Sequence, residues 1–194
     1  MMRLDLRFSD RPLENLWCQA VVALVFQRPY LSGGVLSGLN EKMAGFLTYL
    51  EEKGFWTGTR GETILLASQN MINADKILLK GLGRNSDYDT KLLVDRMREV
   101  SSILDKIEIN EFGIYIPTVE GLEAEYPAYL ELSVLHLVDL FLEKHGNESD
   151  FLLKIIFSVE RYFTSNLKPI MNRLRDHFLS RLDFSIILDQ ETKN

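Results

Sequence analysis

Apolar and polar positions change period several times along the chain, and each change marks an element. Leu4, Leu6 and Phe8 alternate with Asp5 and Arg7, the period-two pattern of a half-buried strand. Asp10 followed by Pro12 suits the cap and first turn of a brief helical segment. Ala20–Phe26 (AVVALVF) is unbroken apolar and rich in β-branched residues, which predicts a strand covered on both faces. The loop Gln27–Ser37 follows, broken by Pro29, Gly33 and Gly34. From Leu39 to Lys53 the period becomes helical through Leu39, Met43, Phe46, Leu47 and Leu50, with Gly54 as the stop. Gly45 within that stretch lowers helix propensity by about 1 kcal/mol against alanine and leaves room for close packing on a sheet.

The middle of the chain carries two short strands, Glu62–Ala67 and Lys76–Lys80, separated by a turn through Ser68–Asn73. The second runs into Gly81-Leu82-Gly83, where the chain must turn abruptly, and Gly83 is expected in a backbone conformation other residues avoid. Tyr88, Leu92, Leu93, Met97, Val100, Ile103, Leu104 and Ile107 then form a long amphipathic stripe, with Asp87 or Asp89 placed to cap it. Glu111–Ile116 is a strand stopped by Pro117, Tyr126–His145 the most apolar helix, and Phe151–Val159 another buried strand. A final helix starts at Ser165 with Pro169 in its first turn, Phe184–Leu188 is a short edge strand, and Gln190–Asn194 frays. Strands and helices interleave, so the predicted fold is α/β, a three-layer α/β/α sandwich on a mixed, mostly parallel sheet. With no repeat or linker, residues 1–194 read as a single domain.

The stretch Gly61-Glu62-Thr63-Ile64-Leu65-Leu66, followed by Ala74-Asp75-Lys76-Ile77-Leu78-Leu79-Lys80-Gly81-Leu82-Gly83, resembles the N-terminal domain of the leucine (cytosol) aminopeptidase family. That domain is macro-domain-like, and the order of elements here is similar to a macro domain. The family's metal-binding string, Asn-Thr-Asp-Ala-Glu-Gly-Arg, belongs to its separate C-terminal domain and does not occur in these 194 residues.

Composition narrows the classes further. Apolar residues make up 46% and charged residues 26%, enough for a packed core rather than a disordered chain. A net charge of -6 argues against a nucleic-acid surface, which needs a positive field. No apolar run reaches membrane-helix length and no signal-peptide pattern opens the chain, so no membrane association and a cytoplasmic location are expected. The lone Cys18 excludes an internal disulfide and reads as an inert thiol beside a buried strand.

Candidate chemistry is sparse. His136, His145 and His177 lack metal spacing, and Glu51-Glu52, Glu123 and Glu125 read as solvated acids, so no catalytic residue, metal or cofactor is expected. In open α/β sheets ligands bind beyond the carboxyl ends of strands. Two loops qualify, giving Ser32, Gly33, Gly34, Val35, Thr118 and Gly121 as candidate ligand-binding residues. The macro resemblance implies that such loops cradle the phosphates of ADP-ribose. In that pattern an aspartate precedes the buried strand, and Gln19 stands at the place it would take here, while Glu120 would repel phosphate. The basic residues near the end, Arg161 to Arg181, are interspersed with acids and read as a solvated face. Helix Tyr126–His145 is apolar over more than one face, so a protein partner or self-association through it is expected unless the C-terminal helix and tail cover it. The first functional reading is a free-standing, non-catalytic relative of the aminopeptidase N-terminal domain, acting in protein interaction or assembly. The alternatives are a macro-like module for ADP-ribose or a nucleotide, and the N-terminal part of a split metalloaminopeptidase.

Overall fold

A computed structural model describes residues 1–27 and 35–190. Seven strands form one sheet in the order β3-β4-β2-β5-β6-β1-β7. They are β1 (Arg3–Ser9), β2 (Ala20–Phe26), β3 (Thr63–Ala67), β4 (Lys76–Gly83), β5 (Glu111–Tyr115), β6 (Leu152–Ser158) and β7 (Asp183–Asp189). All neighbours are parallel except β3, which runs antiparallel to β4. The helices are α1 (Val35–Lys42), α2 (Phe46–Glu52), α3 (Thr90–Lys106), α4 (Tyr126–His145) and α5 (Lys168–Phe178).

Strand β2 shows why two layers of helix are required. Ala20, Val22 and Leu24 face one core, built with α3, α4 and α5, while Val21, Ala23 and Val25 face the other, built with α1, α2 and Trp56. All six are buried, so neither face of this strand tolerates water. The second core reaches only part of the sheet. Beyond it, the same face of β5, β6, β1 and β7 carries polar side chains: Asp5 pairs with Arg7, Lys154 with Glu111, and Ser185 donates to Asp5.

Three local expectations change. The stretch Leu39–Lys53 is two helices, because Ala44 (φ 52°) and Gly45 (φ 80°) both turn left-handed between them. An added Cβ at Gly45 would meet nothing, so its role is the break and not close packing. Asp10 is not the N-cap expected of it: the short 3-10 turn Leu13–Asn15 begins after Pro12, with no side-chain cap. The final helix begins later than Ser165, after a 3-10 stretch over Arg161–Asn166. The cap of α3 is Asp89, whose carboxylate accepts from the Leu92 N–H at 2.6 Å.

The Gly-Glu-Thr and Gly-Leu-Gly motifs form one joint. The turn Gly58–Gly61 lies directly on the end of β4, with Gly83 donating to the Gly58 carbonyl and Gly81 to that of Glu62. A side chain at Gly81 would run into the Thr59 carbonyl, and Gly83 (φ 81°) is left-handed as expected. Glu62 folds back and accepts from the backbone N–H and hydroxyl of both Thr57 and Thr59, at 3.0–3.1 Å. Burial alone would raise its pKa, but these four donors hold it below the usual value. Thr63 accepts from the ammonium of Lys80, which is 3% exposed and pairs with Glu99 of α3 at 2.5 Å.

Candidate functional site

The two predicted ligand loops do leave neighbouring strands at their carboxyl ends, since β2 pairs with β5. Ser32, Gly33 and Gly34 lie outside the described residues, and Val35 opens α1. Thr118 and Gly121 sit in the turn after β5. Gly121 (φ 84°) donates its N–H to Glu123 at 3.0 Å, so that amide is taken by a carboxylate of the chain itself. A cleft of about 480 Å³ opens one strand further along, at the ends of β1 and β6 beside the start of α1. Its walls include Asp10, Arg11, Glu14, Ser158 and Arg161, and neither Thr118 nor Gly121. Asp10 is 3% exposed and lies 3.6 Å from Arg161.

Gln19 is at the opposite, amino ends of the strands, directly before β2. Its carbonyl oxygen accepts from the N–H groups of Asn110 and Glu111, tying the starts of β2 and β5 together. The acid at the strand ends is Asp10. The sequence carries a signal for it, an aspartate directly after a strand with period-two alternation, but the same residue equally suits a helix cap.

The other reactive groups among the described residues are engaged by neighbours or held neutral by burial. Burial pushes the Cys18 thiol up to about 11, and it donates to the Ala20 carbonyl, so it is not a thiolate at neutral pH. His145 is held between Asp105 at 2.7 Å and Glu148 at 2.9 Å and stacks on Phe151. Burial alone would lower its pKa, but the two carboxylates raise it, and with both ring nitrogens engaged it offers no free base. The hydroxyls of Tyr88 and Tyr126 are buried without a hydrogen-bond partner, and burial raises both pKa values, so these phenols stay neutral. Among the described residues no three His, Cys, Asp or Glu side chains are grouped to hold a metal ion.

Helix α4, expected to need a second cover, lies between α3 and α5 on the larger core, with Leu135 and Leu142 packed against that core. Exposed apolar side chains are spread over the surface, Trp17, Tyr162, Leu179 and Ile187 among them, and one group lies at the β3 edge. Phe46 and Tyr49 of α2 stack on one another and line a shallow groove with Ala67 and Met71 at the edge strand β3. On the other face of β3, Leu65 is 43% exposed. This edge was not legible as a site from sequence, where Thr63–Ala67 is one more short apolar run.

The backbone of β3 has a definite polarity. Gly81 donates to the Glu62 carbonyl, and Ser68 donates to that of Asp75. In an antiparallel ladder the bonded residues alternate, and the register pairs Ile64 with Leu79 and Leu66 with Ile77. Ile64 and Leu66 therefore turn their N–H and C=O toward β4. Those of Thr63, Leu65 and Ala67 point away from the sheet.

The sheet and its strand-end cleft define a macro-domain-like α/β/α protein. A structure of a Trypanosoma brucei macrodomain in complex with ADP-ribose superposes with a TM-score of 0.58 at 19% identity, covering 85% of this chain and 68% of that one. A tomato leucine aminopeptidase mutant gives a TM-score of 0.65 at 13% identity, over 86% of this chain and 35% of that chain. The sequence model of the cytosol aminopeptidase family, N-terminal domain, matches residues 21–138, and the chain belongs to that family. A probable cytosol aminopeptidase of Nitrosomonas eutropha is 24% identical over 163 residues, 80% of this chain. The chain spans 32% of that relative's length. No helix among the described residues is long and apolar enough to cross a membrane.

Proposed function

We propose that this domain works as a protein-contact and assembly unit, without chemistry of its own, and that β3 is its docking edge. The observation that carries this is the uncovered strand: three residues of outward backbone groups, no charged side chain from Thr63 to Ala67, and apolar groups on both sides. An edge of that kind is a template for another strand. The test is capture of partners by wild-type chain and by Leu65→Lys. Partners that depend on the edge are lost from the variant; equal capture by both overturns the reading. On the same reading the 194-residue chain does not cleave leucyl-p-nitroanilide, with or without zinc or manganese. Metal-dependent turnover that survives purification would sink it and favour a role in a split metalloaminopeptidase.

The strand-end cleft supports a second reading, a small-ligand module of the kind represented by the Trypanosoma brucei macrodomain in complex with ADP-ribose. Arg11 and Arg161 supply positive charge there, and Asp10 a hydrogen-bond acceptor. Glu14 and the capped amide of Gly121 work against an anion. Calorimetry with ADP-ribose and ADP decides: heat lost in Asp10→Ala and Arg161→Ala supports the cleft, and no heat in the wild type removes it.

A further inference from the structure

We infer that His145 is a proton-operated latch: charged, it ties the corner where α4 turns into β6 to the end of α3, and neutral, it releases the Glu148 side of that corner and loosens the start of β1.

Three elements build the latch. Asp105 stands in the last turn of α3, His145 is the last residue of α4, and Glu148 lies in the turn that leads to β6. The imidazole Nε2 is 2.7 Å from an oxygen of Asp105, and Nδ1 is 2.9 Å from one of Glu148. A neutral imidazole has a single N–H, so only the doubly protonated ring donates to both carboxylates. Two further neighbours favour the cation. The ring stacks on Phe151 with centroids 4.0 Å apart and planes 4° apart, and a positive charge at a helix C-terminus suits the helix dipole. The other charges around the ring sit on every side of it. Lys144 pairs with the second oxygen of Asp105, and Glu108 borders the same hollow of about 180 Å³ as His145, with Asn110 and Phe151. Met1, which carries the chain's amino group, and Arg181 border the adjoining hollow at Gly146.

The two carboxylates are not equivalent. The Asp105 side chain is 13% exposed and keeps Lys144, whereas that of Glu148 is 57% exposed. A bare nitrogen lone pair costs more against a buried carboxylate than against one that water can reach. Loss of the proton therefore falls on Nδ1, and the Glu148 contact opens. That contact closes a turn whose backbone holds β1. Met2 donates to the Gly146 carbonyl at 3.0 Å and Arg3 to that of Phe151 at 2.9 Å, while Phe151 donates to the Glu148 carbonyl at 3.3 Å. Burial alone would lower the imidazole pKa, but the hydrogen bonds to Asp105 and Glu148 raise it. The latch is therefore fully closed below the ordinary value of 6.5 and opens as pH rises through the higher folded value.

Nitrogen-15 NMR of the imidazole and amide hydrogen exchange, both on the full chain from about pH 6 to about pH 9, test this. Exchange is expressed as protection factors, which remove its intrinsic pH dependence. Protection at Arg3, Glu148 and Phe151 should fall about threefold across the range, the scale of one partly exposed charged contact. Val22 and Leu78, at the centre of the sheet, should hold constant. Nδ1, and not Nε2, should give up the proton. His145→Gln is neutral throughout, so its protection at the three amides should be low and flat. In Glu148→Gln the new amide can donate to a bare nitrogen or accept from a protonated one, so protection should be high and flat while the ring still titrates. Wild-type protection that does not change with pH overturns the inference, as does a proton lost from Nε2. An unchanged slope in His145→Gln overturns it too, by assigning the effect to the amino terminus or to Glu108.

Discussion

Strands β3 and β7 each close one end of the sheet and have a single neighbour, yet the chain treats them oppositely. β7 begins and ends on an aspartate, Asp183 and Asp189. The Ile186 carbonyl accepts from the guanidinium of Arg175 at 3.0 Å, Ser185 donates to Asp5 on β1, and Arg11 lies 3.6 Å from Asp189. β3 has no charge along its length, and no side chain among the described residues is recorded donating to its outward carbonyls. Charge at both ends and an occupied carbonyl therefore stand against strand addition at β7, and β3 carries neither obstacle.

The largest effect should come from the joint that holds β3 in place. Gly81→Ala drives a methyl group into the Thr59 carbonyl, so a loss of about 3 kcal/mol or more is expected in denaturant melts. Gly83→Ala, strained at φ 81° and close to Arg60, should cost less, about 1 kcal/mol. Equal midpoints for the two variants would show that the turn can shift off β4.

Next in size is the staple between this edge and α3. Lys80 and Arg96 both meet Glu99, at 2.5 and 2.7 Å, and both cations are nearly buried. Glu99→Ala leaves them facing each other, with Lys80 retaining only Thr63 and the Gly61 carbonyl. Because Glu99 is itself partly exposed, a loss of about 1–2 kcal/mol is expected. Faster exchange at Ile64 and Leu66 than at Ile186 would accompany it.

The comparison can also be inverted. Replacing Asp183 and Asp189 by threonine should leave stability within about 0.5 kcal/mol but add association that Leu65→Lys does not suppress. Light scattering on the combined variant decides. The smallest effect is acid-dependent. Burial alone would raise the Asp5 carboxyl, but Arg7 and Ser185 hold it below its usual value. Its contribution is therefore full above pH 3.8 and lost as pH falls through the lower, folded value. Acidification should loosen β7 near Ser185 while the Leu65 contact, which has no titrating group, persists. A Ser185 amide whose protection is the same at pH 6 and pH 3 contradicts this.

Elements whose cause is local were readable in the chain. The double-sided burial of β2 follows from AVVALVF and the left-handed Gly83 from the glycine pair, while the cap of α3 was narrowed to Asp87 or Asp89, of which Asp89 takes it. The break between α1 and α2 was not, because Ala44 carries half of it and alanine gives no sign of a positive φ. The cleft was hidden for a different reason. Asp10 meets Arg161 because β1 pairs with β6, whose residues lie about 150 positions later. The edge position of β3 was hidden because a strand's exposure depends on its place in the sheet, which a run such as Thr63–Ala67 does not encode by itself.

That same pairing of β1 has a consequence during synthesis. Within this domain β1 is made before the other elements, and both of its neighbours, β6 and β7, are made after most of them. Its apolar row Leu4, Leu6 and Phe8, completely covered in the finished sheet, must wait unpaired while some 150 residues are added. At translation rates of about 5–20 residues per second that interval is on the order of ten seconds. The β2–β4–β5 centre can assemble in the meantime, leaving a vacant lane beside β5 for β6 and then β1. This domain is therefore most dependent on chaperones at β1 during its synthesis, and a ribosome stall before Leu152 leaves that strand without its neighbours.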